Sequence, residues 1–255
     1  MKKIIQILNG IAFVGVVFIN YLSNTGILNN TTIGEISRNY RTLFTPAGYA
    51  FSIWGLIYLL LFGFAIYQVR SLFVKVKEDN FVEKIGFWFI ISCIANSAWV
   101  FAWIYEFTGL SCICIFLLLF SLLKIVINNS MQMAKTSFAT KLFMHWPFVI
   151  YSGWVTVASV ANIAAYLVKL EWEGFGVSPL VWTIVMIAIA TLINVFMVLK
   201  RNMFAFAFVG TWALIGIGVA NTNGANNLDT IALSAAIFLV VLSVFKMIAL
   251  KKHSI

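Results

Sequence analysis

The chain is poor in charge. Only 10% of its 255 residues are Asp, Glu, Lys or Arg, where soluble domains carry about 25%. Acids are the scarcer sign, eight in all, and each of them (Glu35, Glu78, Asp79, Glu83, Glu106, Glu171, Glu173, Asp229) lies in a loop or at the end of an apolar run. No carboxylate falls near the middle of such a run, which counts against ion coupling through buried carboxylates. Coupling through backbone carbonyls stays open. Three cysteines are too few for a disulfide scaffold. Cys93, Cys112 and Cys114 all sit inside apolar runs and read as buried free thiols. There are two histidines, no HExxH, no phosphate-cradling glycine loop and no Ser/His/Asp set. Catalytic and metal residues are therefore assigned to none. His145, at the end of a run, reads as a solvated interfacial histidine rather than a haem ligand.

What the chain has instead is apolar length. With 62% hydrophobic residues, it is no soluble enzyme or disordered chain. Eight stretches approach the 20 or so residues that cross a bilayer core as a helix: 4–24, 46–69, 85–106, 108–128, 143–168, 179–199, 202–220 and 230–249. The fold class expected is an all-α polytopic membrane bundle of about eight helices, with the lipid bilayer as its principal partner. The net charge of +9 does not point to nucleic acid, because the cations cluster at the ends of spans. Fourteen of the 17 Lys and Arg fall on one side, and only Arg38, Arg41 and Lys169 on the other. The positive-inside rule then places both termini in the cytoplasm and residues 25–45 outside. A bacterial inner (cytoplasmic) membrane is expected. No small-x-small site follows the first run near Asn24, so that run is expected to remain as a first helix.

Aromatics make up 16% of the chain and include nine tryptophans. Trp88, Trp146, Trp172 and Trp182 suit an interfacial belt. Trp54, Trp99 and Trp154 lie two or more turns inside their runs, on the order of 10 Å deep. Helical spacing gathers them into stripes. One holds Phe51, Trp54, Tyr58 and Phe62; another Trp88, Ser92, Asn96, Trp99 and Trp103; a third Tyr151, Trp154, Ala158, Asn162 and Tyr166. Two readings remain open at this point. The stripes either pack helix on helix with interhelical amide bonds, or they wall a cavity for a large, flat, mostly apolar ligand.

The segment Thr45-Pro46-Ala47-Gly48-Tyr49-Ala50-Phe51-Ser52-Ile53-Trp54-Gly55-Leu56-Ile57-Tyr58 resembles the second-helix signature of the TspO/MBR family, the tryptophan-rich sensory proteins and translocator proteins (peripheral benzodiazepine receptors). Asn96-Ser97-Ala98-Trp99 is similar to the family's N-x-x-W, and Trp154 through Ala158 to Asn162 to its W-x3-A-x3-N. The three motifs stand in family order on the stripes above. The resemblance covers about residues 1–170, a five-helix core, and leaves 171–255 as three additional transmembrane helices. The chain departs from the pattern in places. Only Pro46 remains of a Pro-Pro pair, Gly48-Tyr49 replaces the first tryptophan, and Phe51 to Trp54 is one residue short.

The resemblance implies a bundle that binds porphyrins, and in some members sterols, in a pocket beneath the loop between helices one and two. By motif, Trp54, Asn96 and Trp154 would line it, with Tyr58, Trp99, Ala158 and Asn162 lining or supporting it. It requires no cofactor; a tetrapyrrole would be a ligand. Arg38 and Arg41, in the external loop, are candidate contacts for its carboxylates, with Glu35 and solvent as their competing partners. The implied role is membrane sensor, receptor or translocator. The alternatives are a secondary transporter or permease of a small hydrophobic solute and a porphyrin-degrading enzyme, the last lacking any acid–base pair. In the seventh span Ala213, Gly216 and Ala220 form a small-residue face that admits close helix approach, either by the core or by a second copy as a homodimer.

Overall fold

The computed structural model describes residues 1–255 except 75, 77–79, 134–135, 223, 225–226 and 253–255. The charged residues Lys75, Lys77, Glu78, Asp79 and Lys135, the turn residues Asn223, Ala225 and Asn226, and His253 lie outside the described residues. The chain is helical throughout the described elements. A long helix α1 (Lys2–Leu22) leads into a short α2 (Ile33–Asn39); a tight turn at Gly48–Ser52 then opens α3 (Ile53–Val69). After the one-turn α4 (Phe81–Ile85) come α5 (Trp88–Ile104) and α6 (Thr108–Asn128). The short α7 (Phe138–Thr140) and a wide turn at Lys141–His145 precede α8 (Trp146–Lys169). The last three are α9 (Pro179–Arg201), α10 (Phe204–Ala220) and α11 (Leu228–Lys252).

Long helices therefore stand at all eight predicted stretches. Six helical segments are long and apolar enough to cross a membrane, and α5 and α10, at 17 residues each, are the shorter two. The third stretch is broken where Gly86 takes φ +55°, a left-handed value that glycine adopts freely. Pro179 occupies the first turn of α9 behind the Ser178 cap, the one helical position where its missing N–H is not needed.

Helix α8 is the hub. It packs against α3, α6 and α10, and most of its length is buried. On α8, a Cβ on Gly153 would meet Phe206 O at 3.1 Å and Val209 Cβ at 3.2 Å, so the backbone of α10 lies against it. A helix backbone cannot yield as a side-chain tip can, and overpacking of this kind costs about 1–3 kcal/mol. Gly153→Val should lower the melting temperature of the detergent-solubilised protein by on the order of 5 °C. An unchanged melting temperature would show that α8 and α10 separate freely. Apolar rows such as Ile4, Ile7, Ile11, Val14 and Phe18 of α1, or Ile237, Phe238, Val241 and Phe245 of α11, face outward, as lipid-facing surfaces do. Near the end of α6, Lys124 reaches back so that Nζ lies 5.8 Å from the Trp88 ring.

Two expectations change. His145 is not solvated: it is 1% exposed, and its Nδ1 accepts the backbone N–H of Gln132 at 3.2 Å. The wide turn folds it inward instead of leaving it at a free helix end. Only Cys93 of the three thiols is buried; Cys112 and Cys114 are partly buried on α6.

Candidate functional site

The site is built at the end of the bundle that carries α2. That helix is short but well started. Thr32 caps it by accepting the Glu35 N–H at 3.2 Å, and Glu35 Oε2 accepts the Thr32 N–H at 2.8 Å, a reciprocal capping box. The Glu35 carboxyl is held below the usual range, first by the hydrogen bond from Thr31 and then by Thr32. Cross-links fasten this segment to the end of α5. Asn29 Nδ2 donates to Ile104 O at 3.0 Å and Trp103 Nε1 to Ile33 O at 3.2 Å. Tyr40 Oη donates to the Glu106 carboxylate, which pushes the phenol up to about 12.

Beneath α2 lies a chamber of about 930 Å³, near the upper end of the roughly 300–1,000 Å³ typical of ligand pockets. Asn20 and Tyr21 of α1, Asn24 just after it, Ser37 and Arg38 of α2, Arg41, the turn before α3, Phe51, Trp54 and Tyr58, and Val219 and Ala220 of α10 line it. Its two arginines come from α2 and the loop that follows, and three of its four aromatic groups, Phe51, Trp54 and Tyr58, from α3 and the turn before it. Next to it is a crevice of only about 50 Å³, lined among others by Trp99, Trp103, Trp154, Ala158 and Asn162. Ile33, Ser37, Thr45, Pro46, Phe51 and Trp54 belong to both linings and form the partition, with Phe51 and Trp54 as its aromatic part.

Trp54 is the centre of an aromatic cluster. Its ring stacks on Tyr58 at 5.7 Å and on Trp99 at 6.3 Å, and meets Tyr151 (5.7 Å) and Trp154 (6.3 Å) edge-on. Edge-to-face and offset pairs at these separations are the favoured ring arrangements. Phe51 adds a further edge contact to Trp154 at 5.8 Å.

Two amide networks fix the rings. Asn20 Nδ2 donates to Asn96 Oδ1 at 2.7 Å, and Asn96 Nδ2 to Tyr151 Oη at 2.8 Å. Trp99 Nε1 donates to Asn162 Oδ1 at 2.7 Å, and Asn162 Nδ2 to Ser111 Oγ at 2.8 Å. Trp154 differs: it is 2% exposed, and among the described residues its Nε1 has no hydrogen-bond partner. A buried indole N–H usually finds one.

Trp54, Tyr58, Arg38 and Arg41 thus line the chamber, and Trp99, Trp154, Ala158 and Asn162 the crevice. Asn96 lines neither, because both ends of its amide are taken by Asn20 and Tyr151. Arg38 lies 3.9 Å from Glu35. The sequence reading missed Asn20, an amide inside an apolar run as Asn96 is, and had no signal for Val219 and Ala220. Among the described residues no group of three or more His, Cys, Asp or Glu could hold a metal ion.

Apolar helices packed around an aromatic chamber define a polytopic helical membrane protein with an internal site. The chain belongs to the TSPO-like protein family, whose model matches residues 6–245. The match runs through α9 and α10 and into α11 as well as the first five long helices. Membership makes this an integral membrane protein of sensory or translocator type. No curated protein and no solved structure matches the chain.

Proposed function

We propose that the protein binds a flat, largely apolar ligand bearing carboxylates, by class a tetrapyrrole, in the chamber beneath α2, and acts as its membrane sensor or translocator. The observation that carries this reading is the division of the lining. Phe51, Trp54 and Tyr58 supply aromatic surface, and Arg38 and Arg41 stand at the α2 side. Ring faces suit a macrocycle, and guanidinium groups pair with carboxylates in a two-pronged fork. The crevice at Trp154 is too small for a macrocycle as it stands and serves as the support behind the partition. The cytoplasmic termini and the location in a bacterial plasma membrane belong to the same reading, since Arg38 and Arg41 then face outward.

Tryptophan quenching by protoporphyrin IX, compared with a sterol, on the purified full chain tests it. Saturable quenching by the porphyrin is expected. Arg38→Ala combined with Arg41→Ala should raise its Kd at least tenfold, which is about 1.4 kcal/mol. Absence of quenching in the parent protein overturns the reading; an unchanged Kd in the double variant removes the arginines from it.

A further inference from the structure

Four hydrogen bonds tie the chamber rim, residues 41–50, to the last half of α10 and its capping residue Asn221. Ala47 N–H donates to Gly216 O at 2.9 Å, and Arg41 Nη2 to Ala220 O at 2.9 Å. Asn221 Nδ2 donates to Leu43 O at 3.0 Å, and Trp212 Nε1 to Ala50 O at 3.0 Å. The Tyr49 ring also meets Trp212 edge-on at 5.2 Å. This approach needs a glycine: a Cβ on Gly216 would lie 3.0 Å from the Cβ atoms of both Pro46 and Ala50. Beyond the anchor, Val219 and Ala220 form part of the chamber lining itself.

The two rim arginines are held differently. Ala220 O is one of the last carbonyls of α10, which no intrahelical N–H can reach. The helix end carries partial negative charge and favours a cation. Arg41 fills that place with one of its five N–H donors and keeps the rest for another partner. Both side chains are exposed, but the partner of Arg38 is the Glu35 carboxylate at 3.9 Å, one turn away on the same short helix. Arg41 is thus positioned by a rigid element, and Arg38 is not.

We propose that α10 is a working wall of the ligand chamber. Its last turn bounds the space through Val219 and Ala220 and holds Arg41 in place to receive a ligand carboxylate, so that these three residues set selectivity for acidic flat ligands. The ligand class rests on the tetrapyrrole reading above; the anchoring of the rim does not.

The test uses the full chain, with protoporphyrin IX and its dimethyl ester as probes, identical in ring and different in charge. The parent protein should bind the acid at least tenfold more tightly than the ester. Arg41→Ala and Gly216→Leu should each erase that preference while moving the ester Kd less than threefold, and Arg38→Ala should erase less of it than Arg41→Ala. Hydrogen exchange over residues 43–50, measured without ligand, should quicken at least tenfold in Gly216→Leu. Should that variant fail to fold, Trp212→Phe, which removes the indole N–H that Ala50 O accepts and shrinks the ring that meets Tyr49, should quicken it in the same direction. A preference that survives Arg41→Ala, a larger effect at Arg38, or unaltered exchange in the anchor variants overturns the proposal. If neither probe binds the parent protein, the tetrapyrrole reading falls, and the exchange result still decides whether α10 anchors the rim.

Discussion

Trp54→Ala is expected to weaken protoporphyrin IX binding by more than tenfold, the largest effect of any single aromatic truncation in the bundle. Trp54 is in ring contact with Tyr58, Trp99, Tyr151 and Trp154 and belongs to the linings of both chamber and crevice. Its loss removes one wall of the chamber and joins the two spaces. Each aromatic pair contributes about 0.5–1.5 kcal/mol beyond the area it buries. A ligand that forfeits even one such contact and its apolar area passes the 1.4 kcal/mol or so that corresponds to tenfold in affinity. Trp154→Ala should follow, because Phe51 leans on that ring. Quenching titrations check both, with the porphyrin absorption band as a readout independent of the deleted fluorophore. Undiminished affinity in both variants would place the ligand elsewhere.

The second large effect is on stability. Asn96→Leu should destabilise the protein by about 1–3 kcal/mol, the range for orphaning buried polar groups, and toward the lower end because polar contacts between membrane helices average less than that. Asn96 is fully buried and is the link between Asn20 on α1 and Tyr151 on α8. The leucine leaves both partners without their bond in an apolar interior. A double-mutant cycle with Tyr151→Phe isolates the link. Once Tyr151 has lost its hydroxyl, Asn96→Leu should do less harm than it does alone. Strict additivity in thermal melts would mean that the two side chains act separately.

These two residues also show how much the sequence could tell. The stripes through Trp54, Trp99 and Trp154 were legible because helical periodicity assigns a residue to a face from its neighbours three and four places away. A row of aromatics with one amide marks a face that cannot look into lipid. Periodicity does not say which helix the face will meet. Asn96 therefore looked like a pocket residue, and its service as a strut between α1 and α8 emerged only with the tertiary partners, 76 and 55 residues away. His145 was misread for a similar reason. At the edge of an apolar run it resembled a free helix end, and the turn that folds it inward has no short-range signature. The small face of α10 was legible as a place of close approach; that it receives the rim of the chamber was not. Arg38 and Arg41 looked equivalent in the sequence, and only the carbonyl end of α10 separates them.

The bond between Arg41 and Ala220 spans 179 residues of chain. At the usual rate of protein synthesis, about 5–20 residues per second, the ribosome needs roughly 10–35 s to travel from one to the other. During that interval the first spans already lie in the bilayer with the seat for the guest open on one flank. On the proposed reading the enclosed chamber is completed only near the close of translation, and a nascent chain halted after its fifth long helix would carry the indoles without the α10 wall proposed to make them selective.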